Sequence, residues 1–445
     1  MKIKILTIIM ISFLTLLNGL NLDDALKIAL ENNPELLAAE QSKKASKTNL
    51  WNTYLSILPS ATVNRSDTYF DETQTVMNSL LKYDASTNYN LIVNQPIFNG
   101  GKVWLGASIS RSAYKISKSS YQNAYLQTVV DLKSKYFAVL ANEELMKIAE
   151  KSLKNSNTNL QIAQVKYDTG NLAKADLLQL QSEQANKEIE LLQMKMLYEN
   201  SRLDLANFLQ LDKIEDLQPV EKEKYEPEIL KLREQNMQDI EELEQEILNI
   251  GMNKSPSLNM ARLGVNTNRK SLWMAGGNFL PTLNFQYIKT WNKYDFEDEF
   301  NENSGQLGLN FSLPIFPLVN NGLEVATSRH QLKQSIYELQ STENSMELAI
   351  KSAVLNLVSQ SKKVHAAEIS LEYSRQMYQQ MNHRFAGGQI SANDLLSTEI
   401  MYSAAQNQAA QSFYDYLSAK ASLVQLMGVN DEKVLNNIIE NKELK

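Results

Sequence analysis

The chain has 445 residues, no cysteine and a formal net charge of -7 at pH 7, with 43% hydrophobic and 21% charged residues. The length exceeds what one ordinary core needs, and the hydrophobic share excludes a chain disordered by composition. The missing cysteine excludes disulfides, thiolate metal sites, a cysteine nucleophile and lipid acylation at cysteine, and the acidic balance argues against a nucleic-acid partner.

Residues 1–19 read as a secretory signal peptide. Lys2 and Lys4 supply a charged n-region, Ile5 to Leu17 is an almost unbroken apolar run, and cleavage is expected after Gly19. The alternative is a retained anchor, but the run is short for a bilayer and an amphipathic helix begins at once with Leu22. No later segment reads as a transmembrane helix, so any membrane span of the exported protein is expected to be β.

After that first helix, a β-hairpin is expected over about 60–98. The segment from Ser60 to Phe70 alternates poorly, with Arg65 and Asp67 on the face that would meet lipid. Tyr89, Leu91, Val93 and Ile97 then alternate with Asn88, Asn90 and Asn94. A long helix follows over 106–169, because Ala107 to Thr169 contains neither Gly nor Pro. Gly170 makes a tight turn into a returning helix over 171–211.

The second half repeats this order: a helix, a β-hairpin over about 282–316, a long helix over 323–386 and a returning helix over 389–427. Leu283, Phe285, Tyr287, Lys289 and Trp291 alternate with Thr282, Asn284, Gln286, Ile288 and Thr290, and Leu307, Leu309, Phe311 and Leu313 with Gln306, Gly308, Asn310 and Ser312. Landmarks fix the repeat. Pro34-Glu35-Leu36, Trp51 and Leu58-Pro59-Ser60 recur 222 positions later as Pro256-Ser257-Leu258, Trp273 and Leu280-Pro281-Thr282. Pro96-Ile97-Phe98, Ser110-Arg111 and Gly170 recur 218 positions later, at Pro314-Ile315-Phe316, Ser328-Arg329 and Gly388. The second copy is therefore four residues shorter between those landmarks, where a loop absorbs the difference.

The helices carry coiled-coil spacing. Leu332, Ile336, Leu339, Met346, Ile350, Ala353 and Leu357 follow a four-three alternation with Glu343 filling one seam position, and Ala185, Ile189, Leu192, Met196, Leu203 and Ala206 follow the same alternation with one position skipped. A period near 3.5 predicts helices packed along their length, in a large helical tube or in a plain dimeric coiled coil. Strands with one apolar face and one Asn, Gln, Ser and Thr face suit a sheet over a soluble core or a membrane barrel with a wet lumen. In the second setting Tyr89, Tyr287 and Trp291 are expected at the membrane interfaces, in contact with outer-membrane lipid. Four strands cannot close a barrel, so copies must share one. Two copies give eight strands and a filled interior; three give twelve and a lumen, which makes a homotrimer the economical assembly.

The doubled order of helix, Asn33-Pro34-Glu35, Leu58-Pro59-Ser60, hairpin, Gln95-Pro96-Ile97-Phe98-Asn99-Gly100-Gly101, long helix, Gly turn and returning helix resembles the TolC-like outer-membrane efflux and secretion channels. The resemblance covers about Leu22 to Val429. It implies a mainly α fold with membrane β: a long coiled-coil helical barrel continuous with a shared transmembrane β-barrel, four strands per protomer. It implies residues 212–238 as an equatorial linker and 430–445 as a polar C-terminal tail, expected to be the least ordered part. It also implies a passive exit duct of a tripartite efflux or type I secretion system, whose tip receives a periplasmic adaptor linked to an inner-membrane transporter.

On that resemblance Gly170, Asn171, Leu172, Gly387, Gly388, Gln389 and Ile390 sit at the periplasmic tip, with Phe385 beside them. Asp394 would line the entrance as an acidic ring, and Asp176 is its first-copy counterpart. The plainer reading makes the glycines simple turn residues and Asp394 a helix cap, three residues after Ser391. The chain departs from the familiar lock: Ile390 stands where an arginine is expected, Phe385 for a tyrosine and Ser397 for a second carboxylate. Substitute pairs from Arg384, Lys174 or His383 compete with apolar packing of Phe385, Leu172 and Ile390. His330, His365 and His383 lack metal-site spacing, and no P-loop or dinucleotide fingerprint occurs, so no metal, cofactor or catalytic residue is expected. The alternative function is a periplasmic coiled-coil adaptor or structural protein without a pore.

Overall fold

The computed structural model describes residues 19–76, 81–294, 300–316 and 318–440. The expected signal peptide, up to Asn18, and the last five residues of the tail lie outside them. Among the described residues the elements run α1 Leu22–Asn32, α2 Pro34–Leu55, β1 Ser60–Val76, β2 Leu81–Asn99, α3 Lys102–Asp168 and α4 Lys174–Leu209 in the first copy. Then come α5 Glu226–Glu234, α6 Met237–Lys254, α7 Pro256–Gly276, β3 Thr282–Tyr294, β4 Phe300–Ser312, α8 Leu318–Ala386, α9 Ala392–Leu426 and α10 Lys433–Glu440. No helix among them is long and apolar enough to cross a membrane.

The boundaries move for local reasons. Asn33 and Ser255 each precede a proline and are held with ψ near 120°, which breaks the leading helix of each copy at the same place. The long helices start at Lys102 and Leu318, before the expected 106 and 323, because Gly106 and Gly322 fit inside them. A helical glycine costs only about 1 kcal/mol relative to alanine, a small part of so long a helix. The second hairpin ends at Ser312, leaving Leu313 to Phe316 outside the strand.

The described residues cluster into two units. One draws on Met1–Ala39, Tyr121–Pro256 and Glu343–Lys445, and the other on Glu40–Ser120 and Ser257–Thr342.

The second unit carries the sheet. Its order is β1-β2-β3-β4, all antiparallel, so β2 and β3 join the two copies while β1 and β4 are edges. The register sets Tyr89 opposite Trp291 and Val93 opposite Tyr287, which places the three expected interface aromatics on one face. Leu307, Leu309 and Phe311 continue that face and are exposed. Arg65 and Asp67 share it but neutralise each other at 3.0 Å, and Thr87 donates to Asp67 at 2.7 Å. The opposite face is mostly amides and hydroxyls, interrupted where Ile92 faces Ile288. Gln286 donates to Asn94 at 2.9 Å, Thr290 to Asn90 at 2.7 Å, and Asn88 to Asn292.

The first unit is helical, and its main core gathers Leu132, Tyr136, Leu205, Leu243, Ile247, Ile350, Leu357, Tyr416 and Leu423. Residues 212–238 are more structured than a bare linker. Leu217 bridges to Leu20, and α5 buries Ile229 and Leu232. Glu228 of α5 accepts from Tyr416 at 2.7 Å and pairs with the buried Lys420. The tail expected to be polar and least ordered also differs over Lys433–Glu440. There Leu435, Ile438 and Ile439 lie on one face of α10 and are buried in the same core. Their spacing of three and one is helical, and a single apolar stripe is enough to dock so short a segment.

Candidate functional site

The candidate site is the pair of turns joining each long helix to its returning helix. Both turns use the same backbone device. Gly170 and Gly388 adopt φ of +77° and +73°, a conformation that costs glycine little. Gly170 N–H donates to Tyr167 O at 2.9 Å and Asn171 N–H to Lys166 O at 2.7 Å. Gly388 N–H likewise donates to Phe385 O and Gln389 N–H to Arg384 O, both at 2.9 Å. These crossed bonds satisfy the last carbonyls of α3 and α8 and turn the chain sharply. The returning helices therefore start at Lys174 and Ala392, after the expected 171 and 389.

Behind the turns lies a small apolar cluster separate from the main core. Phe385 is fully buried within it, with Ala163, Leu177, Leu180, Leu395 and Leu396, and Leu172 and Ile390 pack against it partly buried. Phe385, Leu172 and Ile390 thus meet by apolar packing. No ion pair joins Asp176 or Asp394 to Arg384, Lys174 or His383 among the described residues. A cation does act here, from a position that sequence reasoning missed. Lys166, near the end of α3, donates to the backbone oxygen of Phe385 near the end of α8, and its ammonium lies 4.3 Å from the Phe385 ring centroid. It caps the C-terminal carbonyls of the other copy's helix, where a cation is favoured by the helix dipole. Burial pulls the Lys166 pKa down. The sequence signal was faint: a lysine in the last turn of a helix, with nothing to say that it reaches across.

The two acids differ. Asp394 is exposed and forms a capping box: Ser391 Oγ accepts from Asp394 N at 3.2 Å, and Asp394 Oδ2 accepts from Ser391 N at 3.2 Å and Ser391 Oγ at 2.7 Å. Asp176 occupies the same first-turn position of α4, but the N-cap there is Ala173, which makes no side-chain cap. Cap and charge are compatible at Asp394, because the cap uses one carboxylate oxygen and leaves the residue exposed. Gln179 on α4 reaches Asn393 on α9 at 3.4 Å, a second polar link between the hairpins.

The comparisons with known proteins follow this architecture. The family described as outer membrane efflux protein matches residues 25–209 and 249–429, one stretch for each copy of the repeat. The alkaline protease secretion protein AprF of Pseudomonas aeruginosa is 22% identical, with 98% of this chain and 91% of that protein aligned. The outer membrane protein TolC of Salmonella enteritidis is 22% identical over 95% of this chain and 85% of its own length. Among solved structures, the CmeC outer membrane channel of Campylobacter jejuni superposes with a TM-score of 0.77 at 16% identity, covering 95% of this chain and 90% of that one. The doubled match over most of the chain, on a fold of four strands and two long helical hairpins, places the protein in the outer membrane efflux protein family.

Proposed function

We propose that the chain is one protomer of a homotrimeric exit duct that crosses the outer membrane and extends into the periplasm. The observation that carries this reading is the sheet. Its apolar and aromatic face includes the exposed Tyr89, Trp291, Leu307, Leu309 and Phe311, its other face is mostly amides and hydroxyls apart from the facing Ile92 and Ile288, and both β1 and β4 are edges. Open edges are intolerable in lipid, and pairing β4 of one copy with β1 of the next removes all of them at once. Three copies make twelve strands and a wet lumen.

The helical hairpins continue the conduit. The paired turns at Gly170 and Gly388 form its periplasmic entrance and receive a periplasmic adaptor carried by an inner-membrane transporter, which supplies the energy. Such a duct serves tripartite efflux or type I secretion. Asp394, and Asp176 beside it, place negative charge at the entrance, which favours cations over anions by direct electrostatics.

The test is extraction of the outer-membrane fraction in detergent, followed by measurement of oligomeric mass and single-channel conductance in planar bilayers. A trimer that forms cation-preferring pores is expected. A monomer, or a species that never conducts, sinks the reading. Asp394→Asn removes the charge while leaving an oxygen for the Ser391 cap; it is expected to reduce the cation preference without loss of helix content.

A further inference from the structure

Above the turns, where the two hairpins pack, the structure buries a carboxylate without satisfying it. Glu399 on α9 is 3% exposed, and its Oε1 is buried with no hydrogen-bond partner. Its Oε2 accepts one long contact, 3.5 Å from Asn159 Nδ2 on α3. The same Nδ2 lies 3.4 Å from the hydroxyl of Tyr378 on α8, whose ring stacks on Tyr402 of α9 at 5.2 Å.

The facing charges do not balance. Lys187 on α4 is buried, but its ammonium bonds Glu190 at 2.8 Å and lies 3.7 Å from Glu183, both on its own helix. The groups around Glu399 are thus an amide from α3, a phenol from α8, the Tyr402 phenol from its own helix, and from α4 one lysine with two glutamates. Three carboxylates share one ammonium. A buried carboxylate without a matching cation or full hydrogen bonding costs far more than the neutral acid.

We propose that Glu399 is a proton-binding site between the hairpins, whose neutral form holds them packed and whose ionised form favours their separation. Burial is the main cause of its raised pKa, pushed up to about 7; Lys187 opposes the shift and Glu183 assists it. The sign follows. An acid whose pKa is raised by packing holds its proton more tightly in the packed state. That contribution to packing is complete at low pH and is lost as pH rises from the ordinary value of 4.5 through about 7. One proton changes the packing equilibrium by at most about tenfold per pH unit across that window. The consequence for transport, a tip that loosens as the periplasmic side turns neutral, rests on the duct reading; the proton site does not.

The test compares amide hydrogen exchange over residues 373–402 in the full-length wild type and in Glu399→Gln, each pair at the same pH so that intrinsic exchange cancels. The neutral, isosteric glutamine imitates the protonated acid. The ratio of wild-type to variant exchange is expected to grow more than tenfold between pH 5 and pH 7.5. A ratio that stays flat, or a variant that keeps the wild-type pH response, overturns the proposal. Should Glu399→Gln not fold, infrared titration of the wild-type carboxyl stretch decides it: a buried acid with a midpoint near 7 supports the site, and full ionisation by pH 5.5 removes it. In Lys187→Met, loss of the opposing charge is expected to move that midpoint upward, and a downward move counts against the charge arrangement. Pore formation in bilayers is scored separately, so its absence breaks the duct reading and leaves the exchange result standing.

Discussion

The returning helices α4 and α9 hold equivalent places in the repeat, yet they meet opposite surroundings. At the offset of 218, Leu192, Met196 and Leu203 of α4 correspond to Ala410, Tyr414 and Ala421 of α9. The first three are 63%, 59% and 63% exposed, while their counterparts are 2%, 8% and 3% exposed. Both helices carry an apolar seam, but from Leu192 to Leu203 that of α4 is left open, while the matching stretch of α9 packs against the core that includes Leu417, Leu423 and the linker helix α5. A stripe of large apolar side chains left open along several turns is a surface for another molecule. In the homotrimer proposed above, the neighbouring copy is the expected occupant.

The contrast can be broken most directly by placing one charge on each helix. Leu417→Asp sets a carboxylate in the core and is expected to cost more than about 4 kcal/mol, unfolding the protomer. Leu192→Asp is expected to leave helix content intact while shifting the mass from trimer to smaller species. Circular dichroism and light scattering on the two variants check this, and equal loss of helicity in both would erase the distinction. A smaller loss follows from Lys420→Met. It leaves the half-buried Glu228 beside Tyr416 without its cation, and the cost in urea unfolding is expected at about 3 kcal/mol, the low end for a buried pair. Among the described residues no α4 lysine pairs with the linker helix, so the effect is expected at α9.

At the tip the comparison becomes finer. Lys166→Met removes the cap that the first hairpin provides for the end of α8, with an expected local cost of about 1–3 kcal/mol for the hydrogen bond to a charged group. Faster exchange of the amides from Phe385 to Ile390 and a larger mean conductance are the readouts; unchanged exchange would show the tie to be incidental. The smallest pair concerns the caps. Ser391→Ala is expected to weaken the start of α9 by about 1 kcal/mol, and Ala173→Ser to strengthen the start of α4 by a similar amount. Amide exchange in the two first turns measures both, and the two substitutions together should make the copies alike there.

Much of this was legible in residue order. The repeat offsets, the Gly-free runs and the period-two strands predicted the element order, because those signals are local or compare the chain with itself. Helix starts slipped by a few residues, since a tolerated Gly106 and a three-residue turn do not announce themselves. The tail was misjudged because its overall polarity hid one apolar stripe, Leu435, Ile438 and Ile439. At the site, the turn glycines and the Ser391–Asp394 box were readable from spacing. Lys166 and Glu399 were not, because their meaning lies in what faces them from helices more than two hundred positions away.

Residue order therefore settles the doubling, the helix and strand periods and the turn chemistry, all set by backbone geometry over a few residues. Only the tertiary structure decides which copy of a repeated seam is buried, which lysine caps a helix it does not belong to, and which carboxylate loses its solvent. Those outcomes depend on burial and on the charges brought together by packing. A pattern repeated twice in one chain cannot specify them, because the same spacing reads alike in both copies whether it ends inside or outside.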